Sequence, residues 1–143
     1  MNVAHILSQK GRDVVTVLPD FSLEEVCKLM SDKGIGAVVV CSRDADVVGI
    51  LSERDIMRTL AAKGARALDD RVSSHMTSTV VTCREDTTIQ NVMERMTERR
   101  FRHMPVVDDG RLVGIISIGD LIKNRLAEVE SEQDDLRRYI ATA

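Results

Sequence analysis

Tryptophan is absent from this sequence, and Phe21, Phe101 and Tyr139 are its only aromatic residues, 2% of the chain. So few rings exclude an aromatic core and leave little with which to stack the bases of single-stranded nucleic acid. An excess of positive charge is missing too. Twenty Lys and Arg stand against 23 Asp and Glu, a formal net charge of -3, so no broad basic field gathers nucleic acid or an anionic membrane. No apolar run approaches the ~18 residues of a membrane span. The opening stretch MNVAHILSQKGRD has neither the apolar run nor the cleavage pattern of a signal peptide. Cys27, Cys41 and Cys83 are odd in number and show no CxxC spacing, which fits neither a disulfide framework nor a zinc site. Cys27 and Cys41 fall where core residues are expected. Reduced, buried thiols, and with them a cytoplasmic protein, are the expectation.

What is present is a globular balance of 43% hydrophobic and 30% charged residues over 143 positions, within the range of one ordinary domain with an aliphatic core. Within it one pattern occurs twice. Residues 14–57 and 80–122 align at an offset of 66, which becomes 65 after a one-residue deletion at a turn. Val14, Val15, Thr16 and Asp20 match Val80, Val81, Thr82 and Asp86; Gly49, Ser52 and Asp55 match Gly114, Ser117 and Asp120. Each copy opens with a short β-branched run, Val14–Val17 or Val80–Thr82, followed by an N-cap candidate, Ser22 or Thr88. Leu23, Val26, Cys27 and Met30, like Ile89, Val92, Met93 and Met96, then follow the i, i+3, i+4, i+7 spacing of one helix face.

Two apolar runs come next in each copy. They are Ala37–Cys41 with Val47–Leu51, and His103–Val107 with Leu112–Ile116. Asp109-Gly110 is a hairpin signal between the second pair. A second helix starts at Ser52 or Ser117, its apolar residues including Ile56, Met57 and Leu60, or Leu121, Ile122, Leu126 and Val129. The order is therefore β–α–β–β–α, twice, in an α/β (α+β) fold. A unit of ~45 residues is too small to cover its own sheet. Three-stranded sheets packed together with pseudo-twofold symmetry, flanked by helices, solve that problem. The expected divisions are residues 6–64, a linker over 65–79 with a helical turn at Val72–His75, residues 80–128, and a helical tail over 129–143. Residues 3–9 suit a small leading helix. The tail's apolar seam, Val129, Leu136 and Ile140, suits an oligomer contact or a solvated helix end equally.

The shared polar signature is G-x-x-S-x-x-D, at Gly49–Asp55 and Gly114–Asp120. Two readings stand side by side. In one, Ser and Asp form a capping box at the helix start and nothing more. In the other, the same helix start holds a phosphate through its free N–H groups and the Ser hydroxyl, while the Asp accepts both hydroxyls of a ribose. Thr16 or Thr82 would meet an adenine edge, with Ile35 and Ala37, or Phe101 and Met104, around the ring. Arg99, Arg100, Arg102 and His103 suit either a solvated helix end or phosphate neutralisation, and Arg54 and Arg58 are similar candidates. Metal-ligand spacing, a P-loop and a nucleophile–base pair are not found.

At these residues the sequence resembles a tandem CBS-domain protein, the Bateman module. The segment RHMPVVDDGRLVGIISIGD, residues 102–120, is especially close to the family pattern, and the likeness spans about residues 6–128. Copy one departs from the pattern at Val39, where copy two has the commoner Pro105. The resemblance implies a non-enzymatic regulatory module that signals to a partner. Adenosine-bearing ligands (AMP, ADP, ATP, NAD or S-adenosylmethionine) would bind in two clefts between the repeats, with no obligatory cofactor or metal. By the same likeness Asp55 and Asp120 hold ribose, Ser52 and Ser117 hold phosphate, and two chains form a flat dimer. With no catalytic or transport domain attached in this sequence, an effector protein acting in trans is expected. The expected binding residues are thus Thr16, Ile35, Ala37, Ser52, Arg54, Asp55, Thr82, Phe101, Arg102, His103, Met104, Pro105, Ser117 and Asp120. Copy two, with its Arg-rich and aromatic lead-in, is expected to build the stronger cleft. The competing readings are a dimerisation scaffold with vestigial clefts and a nucleotide-hydrolysing enzyme.

Overall fold

Helix ends follow the capping chemistry of the sequence. In the computed structural model, which describes residues 1–142, helix α1 (Val3–Lys10) is capped by Asn2, α2 (Leu23–Lys33) by Ser22 and α4 (Ile89–Arg99) by Thr88. Each cap side chain accepts from an amide three residues on, at 3.1–3.3 Å. The strands are β1 (Thr16–Val17), β2 (Ala37–Cys41), β3 (Val47–Ser52), β4 (His103–Asp108) and β5 (Arg111–Ser117). Helix α3 (Glu53–Lys63) leaves β3, and α5 (Ile118–Thr142) leaves β5. Two 3₁₀ turns, Ala65–Asp69 and Val72–Ser74, lie between the copies. The tail expected over 129–143 is helical through Thr142; Ala143 lies outside the described residues.

The first sheet has the expected three strands, β1 parallel to β2 and β2 antiparallel to β3. The second has two, β4 antiparallel to β5, so the third strand expected over Val80–Thr82 is corrected. Only Cys83 bridges to Val106 there. The cause is Pro105. In the first sheet the Val39 amide donates to the Val15 carbonyl at 3.3 Å. Pro105 stands at the matching position with no N–H to donate. The ladder starts only at Cys83, whose amide donates to Pro105 at 3.0 Å and whose carbonyl accepts from Val107 at 2.8 Å. At the β4–β5 turn, Asp109 (φ 49°) and Gly110 (φ 74°) are both left-handed, as a two-residue type I′ hairpin requires.

Two aliphatic cores result. Leu23, Val26, Met30, Val38, Val40, Leu51 and Ile56 fill the first; Ile89, Val92, Met96, Met104, Val106, Ile116 and Leu121 fill the second. The segments leading into the copies are exchanged between them. Helix α1, which precedes copy one, buries Val3, Ile6 and Leu7 in the second core, and Val72, which precedes copy two, is buried in the first. The exchange is symmetric in detail. The Val3 amide donates to Thr87 at 2.9 Å and the Val72 amide to Phe21 at 2.8 Å. Bridges Asn2–Thr88 and Ser22–Arg71 flank these bonds. This gives the repeated glycines a packing role. A methyl on Gly114 would meet Leu7 Cδ2 at 2.7 Å, and one on Gly49 would run into the Met76 side chain, with Cγ at 2.8 Å.

Cys41 and Cys83 are buried and Cys27 is half-buried, all three as free thiols. Burial pushes the Cys83 thiol up to about 11, which suppresses its thiolate. Met93, Met57, Ile122 and Leu126, which the sequence places among the apolar residues of these helices, are 41%, 63%, 55% and 59% exposed. Their faces lie beyond what one chain covers.

Candidate ligand-binding cleft between the repeats

Both strand-to-helix joints form capping boxes. Ser52 Oγ accepts from the Asp55 amide at 3.3 Å, and Asp55 Oδ2 accepts from the Ser52 amide at 2.9 Å and from the Ser52 hydroxyl at 3.0 Å. At the second joint Ser117 Oγ accepts from the Asp120 amide at 3.1 Å, and Asp120 Oδ2 accepts from the Ser117 amide at 2.8 Å. Each Asp thus uses Oδ2 for the helix start, which leaves Oδ1 as an acceptor.

The two joints differ in what faces them. The first opens on a cleft of about 420 Å³ built from both copies, a size that suits a small ligand. Copy one supplies Ser52, Glu53, Arg54, Asp55 and Arg58 from the β3–α3 joint. Copy two supplies Thr77, Thr79, Val80 and Val81 from its lead-in, and Arg99 to His103 from the end of α4 and start of β4. The Arg-rich segment therefore faces Asp55, not Asp120, which corrects the expectation that copy two's signature carries the richer cleft. The pseudo-twofold axis sets one copy's signature against the other copy's lead-in.

Five arginines and two carboxylates line this cleft. Among the described residues none of those arginines forms an ion pair. Arg100 ends α4 in a left-handed conformation, φ 58°, where Gly34 ends α2 at φ 64°. Because Pro105 donates nothing, Val81 is left out of the ladder. Among the described residues its amide and carbonyl have no partner. His103 lies where the copies meet, its Nε2 3.5 Å from the position a methyl on Gly36 would take. Burial pushes its imidazole below the ordinary range, with Glu53 and Asp120 pulling back in part.

The second joint is closed by a cation. Lys10, at the end of α1, puts Nζ 2.7 Å from Asp120 Oδ2 and 2.8 Å from the Ile115 carbonyl. Burial pushes the Asp120 carboxyl up, but bonds from Lys10 and Ser117 outweigh it and hold it below the usual carboxylate range.

Of the expected binding residues, Ser52, Arg54, Asp55, Phe101, Arg102 and His103 share the cleft. Ser117 and Asp120 lie at the other joint. Thr16 lines a separate depression with Arg12, Cys41 and Gly110, and Ile35 lines a shallow one beside Glu53 and Ile56. Ala37 and Met104 are core, 6% and 0% exposed, and Pro105 is buried with them. The Thr82 carbonyl accepts from Arg95 Nη2 at 2.9 Å, outside the cleft. Glu53, Thr77, Thr79, Val80 and Val81 also line the cleft and lie outside the binding set that the sequence suggests. Only the Val80–Val81 match to Val14–Val15 hinted at the last two.

A doubled unit with a polar cleft between its copies defines a tandem-repeat module, and no grouping of His, Cys, Asp and Glu among the described residues is fit for a metal. The CBS-domain family model matches residues 3–62 and 72–127, and the chain belongs to that family. The crystal structure of the CBS-domain protein ATU1752 from Agrobacterium tumefaciens is similar at 49% identity and TM-score 0.85, over 87% of this chain and 92% of that one. The CBS domain pair of MJ0100, in complex with 5-methylthioadenosine and S-adenosyl-L-methionine, is similar at 26% identity and TM-score 0.81, over 90% and 98%. The curated Methanopyrus kandleri protein MK0525 is 27% identical over 129 residues, 90% of this chain, and the chain spans 66% of its length. No helix among the described residues is long and apolar enough to cross a membrane.

Proposed function

We propose that this protein is a regulatory sensor of phosphorylated adenosine ligands, of the AMP, ADP, ATP or NAD kind, with its principal site in the Asp55 cleft. The observation that carries this reading is the company Asp55 keeps. A helix start with a Ser hydroxyl, five arginines and the Val81 backbone converge on one cleft, the arginines without ion pairs and Val81 without a backbone partner among the described residues. Asp55 Oδ1 is placed to accept from a ribose diol. The α3 N-terminus, Ser52 and the arginines suit phosphate. The Val81 amide and carbonyl offer one donor and one acceptor, the pair an adenine edge needs, and Phe101 supplies an apolar wall. MJ0100 holds two adenosine-bearing ligands in a similar fold. The arginines of the present cleft favour anionic phosphates over the cationic sulfonium of S-adenosylmethionine.

The site calls for no chemistry. Of its two carboxylates Asp55 caps a helix, and its one histidine is held towards the neutral form by burial. Binding, not turnover, is its work. A ligand that spans the α3 start and the residue 99–103 segment stabilises one packing of the two copies, which an effector protein in trans then reads. The exposed apolar side chains of α3, α4 and α5 (Met57, Met93, Ile118 and Ile122) suit pairing of two chains. A cytoplasmic setting fits the free thiols. The scaffold reading has its own support at the second joint, where Lys10 occupies Asp120.

Titration calorimetry with AMP, ADP, ATP and NAD tests the proposal, with S-adenosylmethionine as the cationic contrast. At least one phosphorylated ligand is expected to bind in the micromolar range, and Asp55→Asn to weaken it more than tenfold with little change in melting temperature. No heat and no thermal shift at millimolar ligand would leave the scaffold reading in its place.

A further inference from the structure

Every described residue of α5 from Glu130 onward is exposed. Along this helix Ile122, Leu126, Val129, Gln133, Leu136 and Ile140 fall alternately four and three apart. That is the 3.5-residue period of a coiled-coil seam, apolar except at Gln133. Ile122, Leu126, Leu136 and Ile140 are 55%, 59%, 59% and 65% exposed, and Val129 is half-buried. Among the described residues, nothing covers this stripe beyond the partial burial of Val129.

We propose that the C-terminal part of α5 pairs in parallel with the same helix of a second copy of this chain, as a short two-stranded coiled coil. The flanking charges select both the partner and its direction. With Leu126, Gln133 and Ile140 at a, and Ile122, Val129 and Leu136 at d, the g positions are Arg125, Glu132 and Tyr139. The e positions are Lys123, Glu130 and Arg137. In a parallel pair each g residue meets the e residue five further along the partner. Arg125 then meets Glu130, and Glu132 meets Arg137, each contact made twice by symmetry. In the antiparallel alignment that keeps a opposite d, e faces e and g faces g. Glu130 would then face its own copy, as would Glu132, and Lys123 would face Arg137, all repulsive. Arg125 reaches Glu128 at 3.2 Å within the helix, and its guanidinium has donors to spare for an interchain carboxylate. Gln133 meets Gln133 across the seam, a polar pair at one a position that fixes register. The seam is under three heptads, too short to hold two chains alone. The inference therefore rests on the body-to-body pairing proposed above, to which it adds a direction.

Sedimentation of the full chain, with interchain disulfide formation in Gln133→Cys under mild oxidation, is the test. The wild type and Ser131→Cys, on the outer face of the helix, are controls. A dimer is expected in which Gln133→Cys cross-links and Ser131→Cys does not. Glu132→Arg should raise the dimer dissociation constant several-fold, and adding Arg137→Glu should restore it. A dimer that neither cross-links at residue 133 nor responds to the charge variants overturns the tail pairing and leaves the body pairing standing. A 122-to-140 cross-link in a mixture of the single variants Ile122→Cys and Ile140→Cys, in place of Gln133→Cys cross-linking, overturns the parallel direction. A monomer at every concentration removes both.

Discussion

Arg100 is a residue whose backbone and side chain favour different replacements. Its left-handed conformation (φ 58°) costs an L-residue on the order of 1 kcal/mol, yet its side chain lines the arginine-rich cleft. Arg100→Gly is expected to stabilise the fold by ~1 kcal/mol in thermal melts while weakening nucleotide binding in calorimetry; loss of both would remove Arg100 from the site. Lys10 offers a second separation. Because the folded-state value of Asp120 is depressed, its contribution to stability is present above about pH 4 and is lost as pH falls from there through the lower folded-state value. Lys10→Met should lift the Asp120 carboxyl and shrink this acid-range slope. The change should be under ~1 kcal/mol, since the pair is partly exposed. The variant should also raise ligand stoichiometry from one towards two per chain by opening the second joint. His103 acts in another window. Burial holds it below the ordinary range, so below roughly pH 6.5 the unfolded chain takes up a proton that the folded chain resists. Stability should decline as pH falls from there towards the folded-state value, and urea melts of His103→Gln at pH 7.5 and 5.5 should show a smaller decline.

Among elements, the glycines of the repeated signature act as packing seats. Gly114→Ala should cost roughly 1–3 kcal/mol by overpacking against Leu7. The double variant with Leu7→Ala should cost less than the sum of the two singles, a coupling that equilibrium melts can read. The seats also show where sequence reasoning stopped. Helix faces and the Asp109-Gly110 turn were legible because their signals are local: a 3.6-residue period and a dipeptide that tolerates two positive φ values. The exchange of leading segments was not, because the likeness of Val3-x-x-x-Leu7 to Val72-x-x-x-Met76 is two residues long and their partners lie on the far copy. The same exchange hid the pairing of Asp55 with Arg99–His103. A repeat shows which residues are equivalent, but the symmetry axis decides which ones meet. The lost third strand was written at Pro105, a missing donor whose consequence falls on Val81, 24 positions away in the chain. The exposed Met57, Met93 and Ile122 followed the helix period faithfully; the period marks an apolar face and is silent on whether its own chain covers it.

For the molecule as a whole, a ligand in the Asp55 cleft touches both copies and so links the two cores. At a hundredfold excess over its dissociation constant it should add about 2.7 kcal/mol of stability. Hydrogen exchange should slow at the Val81 amide, which has no partner among the described residues, and should do so in the wild type but not in Asp55→Asn. The exchanged leading segments carry a consequence for how the chain is made. Synthesis runs from the N-terminus at about 5–20 residues per second. The first sheet receives its cover, Val72 and Met76, within some twenty residues of its last strand. The second sheet's cover is α1, which leaves the ribosome ahead of both copies. Val3, Ile6 and Leu7 must therefore wait, uncovered, through roughly a hundred further residues (several seconds at that rate) until β5 and its Gly114 seat emerge. The nascent chain spends that interval with a ready core for copy one and an apolar helix with no docking place, the state that a chaperone would meet.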